Sequence, residues 1–216
     1  NSTTTSVSFD VLADNASPVF DAAPSAIADI SCDDSLPIQQ TLTASDDCST
    51  VTVSPSVIST PDVCNGYAVT YVWTATDACG NSTTTSISFN VLADNASPVF
   101  DAAPVAIADI SCDDSLPTQQ TLTASDDCST VTVSPSVIST PDVCNGYSVT
   151  YIWTATDACG NSTTTSVSFD VLADNASPVF DAAPSAIADI SCDDSLPTQQ
   201  TLPASADCST VTVSPS

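Results

Sequence analysis

The sequence of 216 residues contains no Lys, no Arg and no His, and it also lacks Met and Glu. Its 26 acidic residues are therefore all Asp, and the formal net charge at pH 7 is -26. Without a basic side chain, no side-chain ion pair can form. Nucleic acid is excluded as a partner because binding its phosphates needs Lys and Arg, and an anionic membrane surface is unfavourable for the same reason.

Long apolar runs and helical periodicity are missing as well. No apolar run reaches the ~18 residues of a membrane span, so we expect no membrane insertion. The absence of His removes the Ser-His-Asp triad. Neighbouring carboxylates such as Asp33 and Asp34 are adjacent in sequence, unlike the carboxylate pair of a glycosidase, which comes from separate elements. We therefore do not expect an enzyme.

Cysteine is abundant, at positions 32, 48, 64, 79, 112, 128, 144, 159, 192 and 208. These wide intervals differ from the short Cys-x-x-Cys pairs of zinc sites, and no His can complete such a site. Disulfides in an oxidising extracellular compartment are the favoured interpretation. Metal or redox chemistry is the alternative.

An internal repeat divides the sequence. Residues 15–94 and 95–174 align without gaps and differ at six positions, and residues 1–14 duplicate 161–174. The predicted organisation is the last strand of a preceding repeat (1–14), two complete β-sandwich repeats (15–94 and 95–174), and the first half of a further repeat (175–216). We expect this stretch to be a window on a longer array.

Apolar and polar residues alternate with the period of a half-buried strand. Predicted strands include Val7–Leu12, Leu42–Ala44, Val51–Val53, Val69–Ala75 and Ile87–Leu92. Asn65-Gly66 and the Asp-rich clusters supply turns. About seven short strands per repeat predict an all-β protein of tandem immunoglobulin-like or fibronectin type III-like β-sandwiches, stacked head to tail.

The segment Trp73–Asn81 resembles the hyalin-repeat (HYR) family, which has a Tyr-x-Ala-x-Asp-x-x-Gly-Asn segment before its last strand and a Pro-then-Ile-x-Cys segment near its start. The matching residues are Pro18, Ile30, Cys32, Tyr71, Ala75, Asp77, Gly80 and Asn81. The four-cysteine version is similar to tandem repeats of giant surface adhesins of Bacteroidota. The resemblance implies export by type IX secretion, a place on the cell surface, and adhesion and extension rather than catalysis.

Disulfide pairing follows from the expected sandwich topology. Cys32 follows the first strand, and Cys64 lies in the loop before the penultimate strand, at the same end. Cys48 and Cys79 belong to the opposite end. The predicted disulfides are Cys32–Cys64, Cys48–Cys79, Cys112–Cys144 and Cys128–Cys159. Such bonds would stabilise a sandwich whose core is small.

Asp and Asn side chains at loop tips are potential Ca²⁺ ligands, since hard cations bind several oxygens. Head-to-tail stacking would place Asp94 and Asn95 beside the tip of the next repeat, as at a cadherin linker. The candidate ligands are Asp14, Asn15, Asp46, Asp47, Asp77, Asp94, Asn95, Asp126, Asp127, Asp157 and Asn161. The alternative is that these residues form Asx turns on a solvated surface. No other cofactor is expected.

An Asp-Ser-Leu motif occurs in each repeat and resembles the O-glycosylation motif of Bacteroidota. It makes Ser35, Ser115 and Ser195 candidate glycan carriers.

Two functions remain open. The first is a structural segment of a long extracellular adhesive fibre, with copies of itself as partners and a target bound by domains elsewhere. The second is an adhesin module that binds a carbohydrate or a surface. It requires an exposed aromatic platform, for which the candidates are Tyr67, Tyr71 and Trp73.

Overall fold

The computed structural model describes residues 1–214, so the last two residues of the predicted half-repeat 175–216 lie outside the described part. Within it the chain forms strands and no helix, and thus no helix that could cross a membrane. The strands are β1 (Val19–Phe20), β2 (Ala44–Ser45), β3 (Val51–Ser59), β4 (Tyr67–Asp77), β5 (Ser82–Val91), β6 (Val99–Phe100), β7 (Ala124–Ser125), β8 (Val131–Ser139), β9 (Tyr147–Asp157), β10 (Ser162–Val171), β11 (Val179–Phe180) and β12 (Ala204–Ser205). The predicted class, tandem β-sandwich repeats with disulfides, is confirmed.

Two compact units make up the chain. Unit 1 consists of Asn1–Ala96 together with Asp127–Thr130, and unit 2 consists of Ser97–Asp126 together with Val131–Ser216. The segment Asp127–Thr130 lies in the loop between β7 and β8. Unit 1 therefore contains a short loop whose flanking strands belong to unit 2.

The main sheet of unit 1 is antiparallel, with the strand order β3-β4-β5. From Val69 to Asp77, the side chains of the central strand β4 alternate between buried and half-buried, as the alternating sequence predicts. Trp73 lies opposite Pro55 on one side and Thr85 on the other. Pro55 is tolerated because β3 is an edge strand, where a missing N–H costs no ladder hydrogen bond.

The layer that covers this sheet contains less strand than expected. Each repeat has five strands rather than about seven, because residues 21–43 form only an isolated bridge between Ile30 and Val91. Side chains anchor this segment in place of a backbone ladder. Gln39 Nε2 donates to the carbonyl of Val72 at 3.1 Å, and Trp73 Nε1 donates to the carbonyl of Gln40 at 2.8 Å.

The core lies between these two layers. In unit 1 it consists of Leu42, Val69, Tyr71, Trp73, Phe89 and Val91, and in unit 2 of Leu122, Val149, Tyr151, Trp153, Phe169 and Val171. The predicted turn at Asn65-Gly66 closes the edge of the core. Gly66 has a φ of +72°, and a Cβ there would lie 2.9 Å from the carbonyl oxygen of Val91, so only glycine fits.

The strand predicted over Val7–Leu12 does not form. Residues 1–18 contain no strand, and Val7, Phe9, Val11 and Leu12 are exposed. In the two later copies the same segment pairs with the strand that precedes it, as β5 with β4 and β10 with β9. Residues 1–18 have no such neighbour among the described residues, so the alternation has nothing to pair with.

Candidate metal centre and disulfide bonds

Two disulfides join cysteines that are further apart than one repeat. Cys32 is bonded to Cys128 within unit 1, and Cys112 is bonded to Cys208 within unit 2, each across a sequence separation of 96 residues. Each bond therefore leads from one repeat into the next. Three predicted pairings, Cys32–Cys64, Cys112–Cys144 and Cys128–Cys159, are therefore wrong.

The fourth predicted pairing, Cys48–Cys79, is wrong as well. Both residues are free and exposed, as are Cys144 and Cys192, whereas Cys64 and Cys159 are disulfide-bonded. The expected sandwich topology offers partners only inside one repeat. The loop Asp127–Thr130 belongs to unit 1 and brings Cys128 to Cys32, with their Cα atoms 5.5 Å apart.

Hydrogen bonds hold the same loop in unit 1. Ser129 Oγ donates to Asp94 Oδ2 at 3.1 Å, and the Asp94 N–H donates to the carbonyl of Val63 at 2.9 Å. Asp94 is buried. Asp94, the last residue of the repeat 15–94, is thus fixed in unit 1. Unit 2 repeats the contact, with Ser209 Oγ donating to Asp174 Oδ2 at 3.0 Å.

Three carboxylates converge in unit 1. Asp14 follows the unpaired N-terminal segment, Asp46 follows β2, and Asp77 ends β4; each offers a carboxylate oxygen within 4.8 Å of the other two. At about 4 Å two carboxylates repel by about 1 kcal/mol in water, and by more near a protein surface. No side chain in this protein can neutralise them, because it has no Lys, Arg or His.

Asp77 is the most constrained of the three. It is only 6% exposed, and its Oδ1 accepts from the N–H groups of Cys79 and Asn81 at 2.9 and 2.8 Å. Its Oδ2 accepts from Asn81 Nδ2 at 2.8 Å. Burial raises the pKa of Asp77, but the hydrogen bonds from Asn81, Cys79 and Gly80 outweigh it and hold the pKa below its ordinary value. Asp77 is therefore ionised at neutral pH.

Asp14 supplies an oxygen with no partner. Its Oδ1 accepts from the N–H of Ala16 at 3.0 Å, but its Oδ2 and the Ser49 hydroxyl are both buried without a hydrogen bond. In the later repeats the equivalent atoms form a hydrogen bond, between Ser129 and Asp94 and between Ser209 and Asp174. Asp14 thus has a buried carboxylate oxygen without a partner and lies beside two further carboxylates. This arrangement fits a cation that binds oxygen, and Ca²⁺ at 2.3–2.6 Å per ligand spans such a separation.

The remaining calcium candidates mostly make local contacts. Asn15 Nδ2 and Asn95 Nδ2 donate to the carbonyls of Ala13 and Ala93, each at 3.3 Å, and Asp157 binds Asn161 as Asp77 binds Asn81. These contacts are Asx-type turns, the alternative to metal binding. Asp47 is exposed and lies beside Asp14 and Cys48 in unit 1. Asp127 lies in the segment Asp127–Thr130 of unit 1, and Asp126 follows β7 in unit 2.

The free thiols of unit 1 lie in the field of these carboxylates. Asp47 is the main cause of the raised pKa of Cys48, and burial followed by Asp14 raises the pKa of Cys79. A raised pKa keeps these groups protonated and less nucleophilic at neutral pH.

The three candidate glycan carriers, Ser35, Ser115 and Ser195, are exposed. Each directly follows a turn in which an Asp carboxylate accepts from the N–H of a serine three residues earlier, at 3.0 Å in the first two repeats and 2.9 Å in the third. Modification of these serines stays a prediction.

No protein-family model and no curated protein matches the sequence. Among solved structures, the chain is similar to Drosophila N-cadherin EC1-4, with 15% identity over 72% of this chain and 49% of that one and a TM-score of 0.33. It is also similar to protocadherin gammaB7 EC3-6 (15% identity, 77% and 53% covered, TM-score 0.30) and mouse cadherin-23 EC22-24 (11%, 77% and 70%, 0.31). The chain thus spans about half the length of the first two. At such values the similarity assigns neither a family nor a function.

Proposed function

We propose that this chain is a structural segment of a long extracellular adhesive fibre on a bacterial surface, in which it supplies reach, stiffness and resistance to proteases. One observation carries the proposal: the loops closed by Cys32–Cys128 and Cys112–Cys208 are longer than the repeat, so successive loops overlap. Disulfides also favour an oxidising compartment outside the cell. Proteases that cut after Lys, Arg or Glu have no site in the sequence.

The overlap changes how the chain bears tension. The loop closed by Cys32–Cys128 contains Cys112, from which the next bond leads to Cys208. A force applied at the two ends therefore passes from Cys32 to Cys128, back along the chain to Cys112, and across to Cys208. Residues 94–97, at the junction of the two complete repeats, lie off this path. Unfolding the sandwiches would release little length, because most of the chain is inside closed loops.

Single-molecule pulling tests this function. With these two disulfides closed, about 56 residues lie on the force path, which allows about 200 Å of extension at about 3.5 Å per residue. After reduction all 216 residues bear the load and allow about 750 Å. An oxidised chain that extends as far as the reduced one would rule out a length-limited fibre.

A paired variant isolates the overlap from the presence of a disulfide. Replacing Cys112 and Cys208 by Ser opens the second loop and keeps the Cys32–Cys128 bond, and we expect about 400 Å of extension. The matched control replaces the free residues Cys48 and Cys79 by Ser and should extend no further than the oxidised parent. An equal extension of the two variants would show that the overlap carries no load.

Calcium is the ligand that this proposal assigns to Asp14, Asp46 and Asp77. Bound there it would offset two of the three negative charges and tie the N-terminal segment to the end of β4 and to the loop after β2. The orphaned Asp14 Oδ2 supports the assignment. Isothermal titration of the oxidised chain with CaCl₂ tests it, with Asp14→Asn as the variant that should lose heat release and Asp10→Asn as the exposed control.

The alternative function, a carbohydrate-binding module, has no support from the aromatic residues. Tyr71 and Trp73 are buried in the core of unit 1 and Tyr67 packs against it, so none of them forms an exposed platform. The target of the fibre would be bound by other domains.

A further inference from the structure

We infer that Cys48 and Cys192 continue the pairing pattern of Cys32–Cys128 and Cys112–Cys208, and that each forms a disulfide with a cysteine of the other type in another copy of this repeat. Cys192 would bond to a Cys48-type residue of the following copy, and Cys48 to a Cys32-type residue of the preceding copy. The inference rests on the proposed fibre and extends it, because it makes each junction between repeats covalent.

Comparison of the repeat copies carries this inference. Positions 48, 128 and 208 are copies of one cysteine, and positions 32, 112 and 192 are copies of another. Bonds join Cys32 to Cys128 and Cys112 to Cys208, always from the second type to the first type of the next repeat. The same pattern gives Cys192 a Cys48-type partner in the next copy of the repeat. It gives Cys48 a Cys32-type partner in the copy before it.

The local turn and strand are the same around the free copies and the bonded ones. Cys192 lies in a turn equivalent to that of Cys32. The Ser191 N–H donates to the Asp194 carboxylate at 2.9 Å, as the Ser31 N–H does to Asp34. Cys48 follows β2, and Cys128 follows the equivalent Ala-Ser strand β7. The bonded copies are half-buried, whereas Cys48 and Cys192 are exposed. Exposure leaves both sulfurs accessible to a partner.

The other two free cysteines follow the same rule. Cys79 and Cys144 are copies of Cys159 and Cys64, which are disulfide-bonded. Every free cysteine in the described chain therefore has a copy that is bonded. If the local sequence kept a cysteine from forming a disulfide, that cysteine would be free in every copy of the repeat.

Bond formation needs an oxidant, and a small-molecule disulfide such as oxidised glutathione supplies it. The Cys192 thiolate attacks the glutathione disulfide and displaces one glutathione thiol. The Cys48 thiolate of the second copy then attacks the mixed disulfide at the Cys192 sulfur and displaces the second glutathione thiol. Two protein thiols lose two electrons and two protons, and one oxidised glutathione becomes two reduced ones.

Chain mixing tests the inference in a background that carries Cys79→Ser and Cys144→Ser, which leaves only Cys48 and Cys192 free. In a glutathione redox buffer this background should form a ladder of multimers on a non-reducing gel. Adding Cys48→Ser or Cys192→Ser should abolish the ladder and leave monomers. An equal mixture of the two single-thiol chains should give a dimer and no larger species.

Random thiol oxidation gives a different result. In that case each single-thiol chain forms its own dimer, and the mixture contains both homodimers and the heterodimer in statistical amounts. The same mixture in denaturant shows this statistical pattern as a reference. Homodimers as abundant as heterodimers under native conditions would overturn the inference, and a mixture that stays monomeric would exclude a partner in a second chain. Neither result would alter the pulling test, which depends on the Cys32–Cys128 and Cys112–Cys208 bonds.

A longer chain identifies the source of the partner. Extending the background by one more repeat supplies a Cys48-type residue in the same polypeptide. Loss of the Cys192 thiol in a monomer places the partner in the same chain, and multimers joined through Cys192 place it in a second chain. A Cys192 that stays reduced in the extended monomer and forms no multimers contradicts the inference.

Discussion

Residues 1–14 and 161–174 have the same sequence and different structures. In the later copy the segment forms β10, pairs with β9 along its whole length, and buries Phe169 to 3% exposure. In the earlier copy no strand forms, and Phe9 is 85% exposed. Sequence alternation supplies a strand that can pair, but the pairing and the burial depend on a neighbouring strand. The cysteines show the same contrast, because bonded and free copies share their local sequence.

The largest expected effect comes from the bonded cysteines. Replacing Cys32 and Cys128 by Ser opens a loop of about 100 residues and should lower the free energy of unfolding by about 4–5 kcal/mol on the chain-entropy estimate. The same replacement at the free residues Cys48 and Cys79 should change it by less than about 0.5 kcal/mol. Urea denaturation of the oxidised chains measures both. Equal losses in the two variants would contradict the assigned pairing.

Phe169 and Phe9 provide a matched test of the strand comparison. Phe169→Ala removes a buried ring from the core of unit 2 and should cost about 3–5 kcal/mol. Phe9→Ala removes an exposed ring from an unpaired segment and should cost less than about 0.5 kcal/mol. The difference between the two urea midpoints is the measured quantity. A large loss at Phe9 would show that residues 1–14 are paired in solution.

Calcium would make the unpaired residues 1–14 more similar to the ordered residues 161–174, because it would fix Asp14 in unit 1. A concentration one hundred times the dissociation constant should stabilise unit 1 by about 2.7 kcal/mol. The thermal midpoint should therefore rise with CaCl₂ and return to its original value with a chelator. Asp14→Asn should remove the shift, and Asp10→Asn should keep it. A midpoint that is the same in calcium and chelator would exclude the site.

Acid should unfold the chain through the hydrogen-bonded carboxylates. The hydrogen bonds from Asn65 lower the pKa of Asp62, and Asp77 also has a pKa below its ordinary value near 3.8. The unfolded chain therefore takes up protons at a higher pH than the folded chain, so stability is lost as the pH falls from about 4 through the folded-state pKa values. The denaturation midpoint between pH 5 and pH 2 measures this loss. Asp77→Asn should make its pH dependence shallower, while Asp10→Asn should leave it unchanged.

The sequence alone predicts the repeat frame and the central strands. Alternation identified β4 and β5, and the Asn-Gly pair located the turn at Gly66. The sequence pattern predicts more strands than the structure has in residues 21–43. There, hydrogen bonds of the Gln39 and Gln40 side chains replace a backbone ladder. A side-chain amide that bonds to a backbone carbonyl far along the chain, as Gln39 does to Val72, leaves no periodic signal.

Disulfide pairing could not be read from the sequence because the expected topology offered partners inside one repeat only. Four cysteines in one sandwich allow three pairings, and none of them includes Cys128 as the partner of Cys32. That bond depends on the loop Asp127–Thr130 belonging to unit 1. The sequence predicts the acidic residues as ligands, whereas the orphaned oxygen of Asp14 appears only in three dimensions.

The central claim is that the disulfides of Cys32 and Cys112 join one repeat to the next, and Cys208 allows a direct test. Its peptide is unique, because Ala206 stands where the other repeats have Asp46 and Asp126. Non-reducing mass spectrometry of the Cys192→Ser chain should find this peptide bonded to an Asp-Ile-Ser-Cys peptide, while Cys112→Ser should leave Cys208 as a free thiol. A Cys208 that is free in the first variant and bonded in the second would place the partner within the repeat and contradict the account.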